Sequence, residues 1–114
     1  MKSTEAEYIC KMDSQGWSDQ QGSPMVLDVS GMKSATIQAV QFSDTAWSTG
    51  QLTVKRSNIV PDGGMQNLQS TTTITNSAQM TDALDVSGFK YLIVTVSTEQ
   101  AGVTLRVSMY AQEF

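Results

Sequence analysis

Apolar residues recur at every second position over much of this 114-residue chain. The clearest case is Val103 to Ala111. There Val103, Leu105, Val107, Met109 and Ala111 share one phase, while Thr104, Arg106, Ser108 and Tyr110 take the other. Period two over nine residues marks a strand with one face buried and one in water. Lys90 to Ser97 reads differently, because Tyr91, Ile93 and Thr95 alternate with Leu92, Val94 and Val96. Both of its faces are largely apolar, so this strand is expected to be central or to meet a partner on its outer face. In Ala35 to Phe42 the phase changes: Ala35, Ile37 and Ala39 agree, then Val40 and Phe42 fall on the other side. A bulge near Ala39 would produce that switch. Gln51 to Ser57 sets Leu52 and Val54 against Thr53 and Lys55, and shorter strands are expected at Tyr8–Met12, Met25–Val29, Thr71–Thr75 and Ala83–Val86.

No stretch combines helical spacing of apolar residues with good helix formers; Thr, Val, Ser and Gly favour strands and turns. Turns are signalled at Ser30-Gly31, at Ser87-Gly88 and at Pro61-Asp62-Gly63-Gly64, where Pro presets φ and Gly admits φ > 0. About eight short strands separated by such turns predict an all-β fold, an antiparallel β-sandwich of jelly-roll or Greek-key type. Residues 1–24 read as a polar N-terminal arm with at most a short strand, and residues 25–114 as the β-sandwich domain.

The sandwich carries an internal two-fold repeat. Leu27-Asp28-Val29-Ser30-Gly31-Met32-Lys33 recurs as Leu84-Asp85-Val86-Ser87-Gly88-Phe89-Lys90. Each copy runs into an apolar strand, and each is followed by a Gly and a further strand: Gly50 before Leu52-Thr53-Val54-Lys55, and Gly102 before Val103-Thr104-Leu105-Arg106. Asp28 and Asp85 stand where a carboxylate can accept from a backbone N–H two residues on, capping the turn. As cation ligands they fall short, because calcium takes six to eight clustered oxygens and each copy offers one carboxylate.

Composition narrows the chemistry. The chain has no histidine and one cysteine, which excludes His-dependent catalysis, His-based metal sites and an internal disulfide. Charged residues are 16% against the usual quarter, and the net charge is −4, so nothing balances a nucleic-acid backbone. No apolar run approaches a membrane span, and Met1 to Glu7 is too polar for a secretory leader. Gly63-Gly64 lacks the Lys-Ser/Thr of a phosphate loop. Cys10, between Ile9 and Met12, reads as a small buried hydrophobe. Lys55-Arg56 reads as the charged end of an edge strand, or as a donor to a neighbouring acidic subunit. The expectation is a non-enzyme with no catalytic residue, metal or cofactor.

What remains to carry function is contact surface. Trp17 and Trp47 lie in polar loop sequence, where an aromatic either folds over the core or faces a partner. Tyr110 stands alone on the polar side of the last strand. Phe114 follows that strand without an obvious core slot, and Tyr8 opens the first short strand. Tyr8, Trp17, Trp47, Tyr110 and Phe114 are therefore the candidate partner-interface residues.

Leu84-Asp85-Val86-Ser87-Gly88-Phe89-Lys90-Tyr91-Leu92, the all-β stretch ending Thr104-Leu105-Arg106-Val107-Ser108-Met109-Tyr110, and Leu52-Thr53-Val54-Lys55-Arg56-Ser57-Asn58 followed by Asp62-Gly63-Gly64 resemble small β-sandwich virion proteins of tailed bacteriophages. The resemblance covers roughly residues 25 to 111. It implies a capsid decoration, or cement, protein that binds the major capsid protein as a homo-oligomer, commonly a homotrimer. Such a protein sits on the capsid surface of the virion and is made in the host cytoplasm. The alternative is a glycan-binding module of a host-attachment fibre or spike, in which Trp17, Trp47 or Tyr110 would stack on sugar rings.

Overall fold

A computed structural model describes residues 2–13, 25–59 and 70–113. They form eight strands: β1 (Ser3–Lys11), β2 (Met25–Asp28), β3 (Ser34–Gln41), β4 (Gln51–Ser57), β5 (Ser70–Ile74), β6 (Leu84–Asp85), β7 (Tyr91–Thr98) and β8 (Thr104–Gln112). Sheet I has the order β1-β8-β3-β6 and sheet II the order β2-β7-β4-β5, with every pairing antiparallel. First pairs with last and each next strand with the one before: β1 with β8, β2 with β7, β3 with β6, β4 with β5. This nested order is the jelly roll, two Greek keys folded into two packed sheets.

The core lies between the sheets. Sheet I supplies Cys10, Ala35, Ile37, Ala39, Leu105, Val107, Met109 and Ala111; sheet II supplies Met25, Leu27, Leu52, Val54, Ile74, Leu92, Val94 and Val96. The alternation in β8 is realised residue by residue, with inward positions buried and Arg106, Ser108 and Tyr110 exposed. β7 is central, between β2 and β4, and is buried on both faces. Ile93 and Thr95 point away from the core and are nonetheless buried, as are Thr53, Lys55 and Ser57 on β4. These five side chains are buried within a single copy of the chain, so the two-faced apolar pattern of β7 requires no partner.

Three expectations need correction. Residues 3–11 belong to the sandwich: β1 pairs with β8 from Ser3↔Gln112 to Lys11↔Thr104. Its inward residues, Thr4, Ala6, Tyr8 and Cys10, are small or amphipathic, which made a genuine alternation read as polar. β3 has no bulge against β8, because their register runs unshifted from Ser34↔Gln112 to Gln41↔Leu105. Val40 and Phe42 change phase because they stand on the outer face. The irregularities fall on β4, beside Val54/Lys55 and Gln51/Leu52. Lys55-Arg56 lies on that central strand and protects no edge. Burial lowers the Lys55 pKa from the usual lysine value.

The sequence repeat is also a structural one. Advancing each strand by four turns the order β1-β8-β3-β6 into β5-β4-β7-β2, which is sheet II read backwards. The Asp28 turn hands the chain from sheet II to sheet I, and the Asp85 turn hands it back. Asp28 Oδ1 accepts from Ser30 N and Asp85 Oδ1 from Ser87 N, both at 2.9 Å. Gly31 and Gly88 hold matching left-handed φ values of 78° and 83°, which cost a residue with a Cβ far more than Gly. The two turns bond to each other reciprocally: Val29 N donates to Lys90 O at 2.8 Å, and Val86 N to Lys33 O at 3.0 Å. Positions 29, 33, 86 and 90 are thus related by a local pseudo-two-fold axis.

Candidate functional site

The outer face of sheet I is open to solvent. Antiparallel register fixes which side chains share a row across it, because residues directly opposite one another point the same way. Glu5, Tyr110 and Thr36 form one row; Glu7, Ser108 and Gln38 the next; Ile9, Arg106 and Val40 the third. Phe42 extends the face, its N–H donating to Thr104 O at 2.7 Å, which places it beside Lys11 and Thr104. Met80 bridges to Gln38 and so stands on the same face. Five of the six exposed large hydrophobic residues among the described residues lie here: Ile9, Val40, Phe42, Met80 and Tyr110. Phe42 is 58% exposed and Val40 45%. The sixth, Ile59, follows β4.

Charge is interleaved with this apolar surface. Arg106 forms an ion pair with Glu7 on the neighbouring strand, and its guanidinium lies over the Phe42 ring, 6.0 Å from the centroid. An exposed pair of this kind adds about 0–1 kcal/mol to stability, so its main effect is to place the cation. Glu5 stands toward one end of the outward side of β1, next after Ser3, and Lys11 at the other end.

Of the sequence-predicted interface residues, Tyr110 lies on this face and is exposed. Tyr8 points inward, packs against the core and donates its hydroxyl to Val26 O at 2.7 Å, tying β1 to β2. Trp47 is 5% exposed and belongs to the core. Its Nε1 donates to Gly50 O at 2.7 Å. The loop around it is gathered on Gln100, whose Oε1 accepts from the amides of Ser48, Thr49 and Gly50 and whose Nε2 donates to Ala46 O and Ser48 Oγ. Trp47 is therefore removed from the interface set: its indole N–H finds a buried acceptor, so the ring can close the core. Trp17 and Phe114 lie outside the described residues, as does the Pro61-Gly64 turn. Ile9, Val40, Phe42 and Met80 were missed, although the phase change at Val40 and Phe42 was their signal.

A second feature flanks the Asp85 turn. Arg56 Nη1 donates to Asp85 O at 2.6 Å, and its guanidinium stacks 4.7 Å from the Phe89 ring centroid. Nearby, a shallow open groove of about 280 Å³ is lined by Lys33, Ser34, Ala83, Leu84, Asp85 and Ser87. Its single carboxylate accepts from Ser87 N within its own turn, and that bond, ahead of the charges of Arg56 and Lys33, lowers the Asp85 pKa from the usual carboxylate value. No group of three or more metal-capable side chains occurs among the described residues.

The fold is similar to the crystal structure of the SPBc2 prophage-derived protein YomS, with a TM-score of 0.53 and 9% identity, covering 98% of this chain and 96% of that one. At that identity the likeness is one of fold. No protein-family model matches the chain and no curated protein matches it in sequence.

Proposed function

We propose that this chain is a structural virion protein of a tailed bacteriophage, a decoration protein that adheres to the major capsid protein and stabilises the head. The observation that carries the reading is the gathering, on one face of the sandwich, of five of the six exposed large hydrophobic residues among the described residues. Large apolar residues clustered on one open face of a small domain, with charge among them, fit a surface made for association. The length and sheet architecture shared with a prophage-derived protein support the phage setting. Adhesion is multivalent in this reading: an oligomer touches several lattice subunits, and modest single contacts multiply into high avidity.

Sugar stacking is the weaker alternative. Tyr110 shares a row with Thr36 and Phe42 lies by Thr104, six residues further along β8. About 20 Å therefore separates Tyr110 from Phe42, the two exposed aromatics among the described residues, too far for both to serve one sugar ring.

The test is co-sedimentation with purified heads of the phage that carries the gene. Deleting residues 1–20 would strip β1 from β8 and unfold sheet I, so point variants are used. The wild-type protein is expected to pellet with heads, and Phe42→Glu to lose most of that binding while staying folded. Heads that neither bind the protein nor gain heat resistance from it would refute the decoration reading.

A further inference from the structure

The face of sheet I is complementary to itself. Rows two residues apart lie about 7 Å apart along a strand, and neighbouring strands about 4.8 Å apart. A two-fold axis in the plane of the face, perpendicular to the strands and crossing between the Glu7 and Ile9 rows, would lay β1 on the partner's β1 and reverse the row order. Glu5 then faces the second copy's Lys11, and Lys11 faces its Glu5. Glu7 comes beside the second copy's Arg106. Phe42 lands beside the second copy's Tyr110, and Val40 beside its Met80. Glu5 and Lys11 meet their opposites directly and Glu7 and Arg106 one strand over, while four of the five exposed hydrophobic residues lie one strand from another. Three strands of eight or nine residues give a footprint of about 14 by 30 Å, roughly 850 Å² over two copies, the size of a weak, reversible interface.

We infer that the outer face of sheet I is a homodimer interface, occupied by a second copy of this chain across that two-fold axis. A surface that pairs with itself closes as a dimer, whereas a trimer needs two different patches. This replaces the trimer implied by the family resemblance. The inference does not depend on the capsid being the target, because the purified protein alone is measured. On the decoration reading this face serves adhesion indirectly: it joins two copies whose remaining surfaces meet the lattice, and Phe42→Glu lowers head binding through lost avidity.

Sedimentation equilibrium on the full chain tests it. The wild-type protein is expected to dimerise, doubling its 12.4 kDa mass. Val40→Glu and Phe42→Glu, exposed in the single copy, should give monomers with unchanged circular dichroism and a melting temperature that no longer depends on protein concentration. Glu5→Lys should weaken the dimer at least about tenfold, and adding Lys11→Glu should restore it, because the swapped charges again face one another. A wild-type protein that stays monomeric at about 100 μM overturns the inference. So does a trimer, or a dimer indifferent to both glutamate substitutions. Failure of the charge swap to rescue overturns the proposed axis, and with it the inference.

Discussion

The two sheets use four strands each and exchange places under the pseudo-two-fold, yet their outer faces meet opposite surroundings. In sheet I the outward residues of β1, β3 and β8 are exposed or half-buried, and Val40 and Phe42 stand in water. In sheet II the outward residues Thr53, Lys55, Ser57, Ile93 and Thr95 are buried within one copy. An apolar residue out of phase in a strand therefore has two meanings, and the local pattern does not choose between them. Ile93 is out of phase because the chain covers it; Val40 is out of phase on a face the chain leaves open. The low charge of the sequence has the same double origin, since part of it serves a second buried layer.

Substitution of these two residues probes that difference most strongly. Ile93→Ala removes buried methylenes and is expected to destabilise the fold by about 2–4 kcal/mol. Val40→Ala, on the exposed face, should change monomer stability by no more than about 0.5 kcal/mol. Urea denaturation of both variants decides the matter. Equal losses would mean that the two outer faces are equally covered.

The legibility of the sequence followed the same division. β8 and β7 were visible because their alternation runs over eight or nine residues with branched side chains on the inward phase. The repeat was visible because Asp, Ser and Gly serve turn geometry that few other residues meet. The start of β1 is hidden in the sequence because Thr4 and Ala6 bury little, and pairing with β8, about a hundred residues away, holds it. Only the cross-strand register distinguishes the exposed row on sheet I from a bulge in β3. Trp47 needed the Gln100 hub, and nothing in its local sequence announces an acceptor fifty residues distant for the amides around it.

The crossovers between the sheets sharpen the comparison from the other side, because there the two halves should behave alike. Neither Gly31 nor Gly88 has an atom within 4 Å of where a Cβ would stand, so adding one costs only the left-handed conformation. Gly31→Ala and Gly88→Ala should each destabilise by about 1–2 kcal/mol, and by the same amount within error. Thermal melts compare them directly. A much larger loss at one turn would show that the pseudo-two-fold is geometric and not energetic.

The smallest expected effect lies in acid. The Ser30 amide, then the Ser30 hydroxyl, and last the Lys90 charge lower the Asp28 pKa; the Ser87 amide and hydroxyl, then Arg56 and Lys33, do so for Asp85. A carboxylate whose folded pKa lies below its unfolded value, about 3.9, stabilises the fold above that pH. The contribution is lost as pH falls through the folded value. Wild-type stability should therefore decline more steeply below about pH 4 than that of the Asp28→Asn/Asp85→Asn double variant. Asparagine keeps an acceptor oxygen for the turn amide but does not titrate. Because the leading cause is a hydrogen bond to an amide, 1 M salt should leave most of this difference in place, although it screens surface ion pairs. A pH dependence abolished by salt would transfer the effect to Lys33, Arg56 and Lys90. The reciprocal placement of the two lysines, Lys90 acting on Asp28 and Lys33 on Asp85, would then be the electrostatic form of the same two-fold.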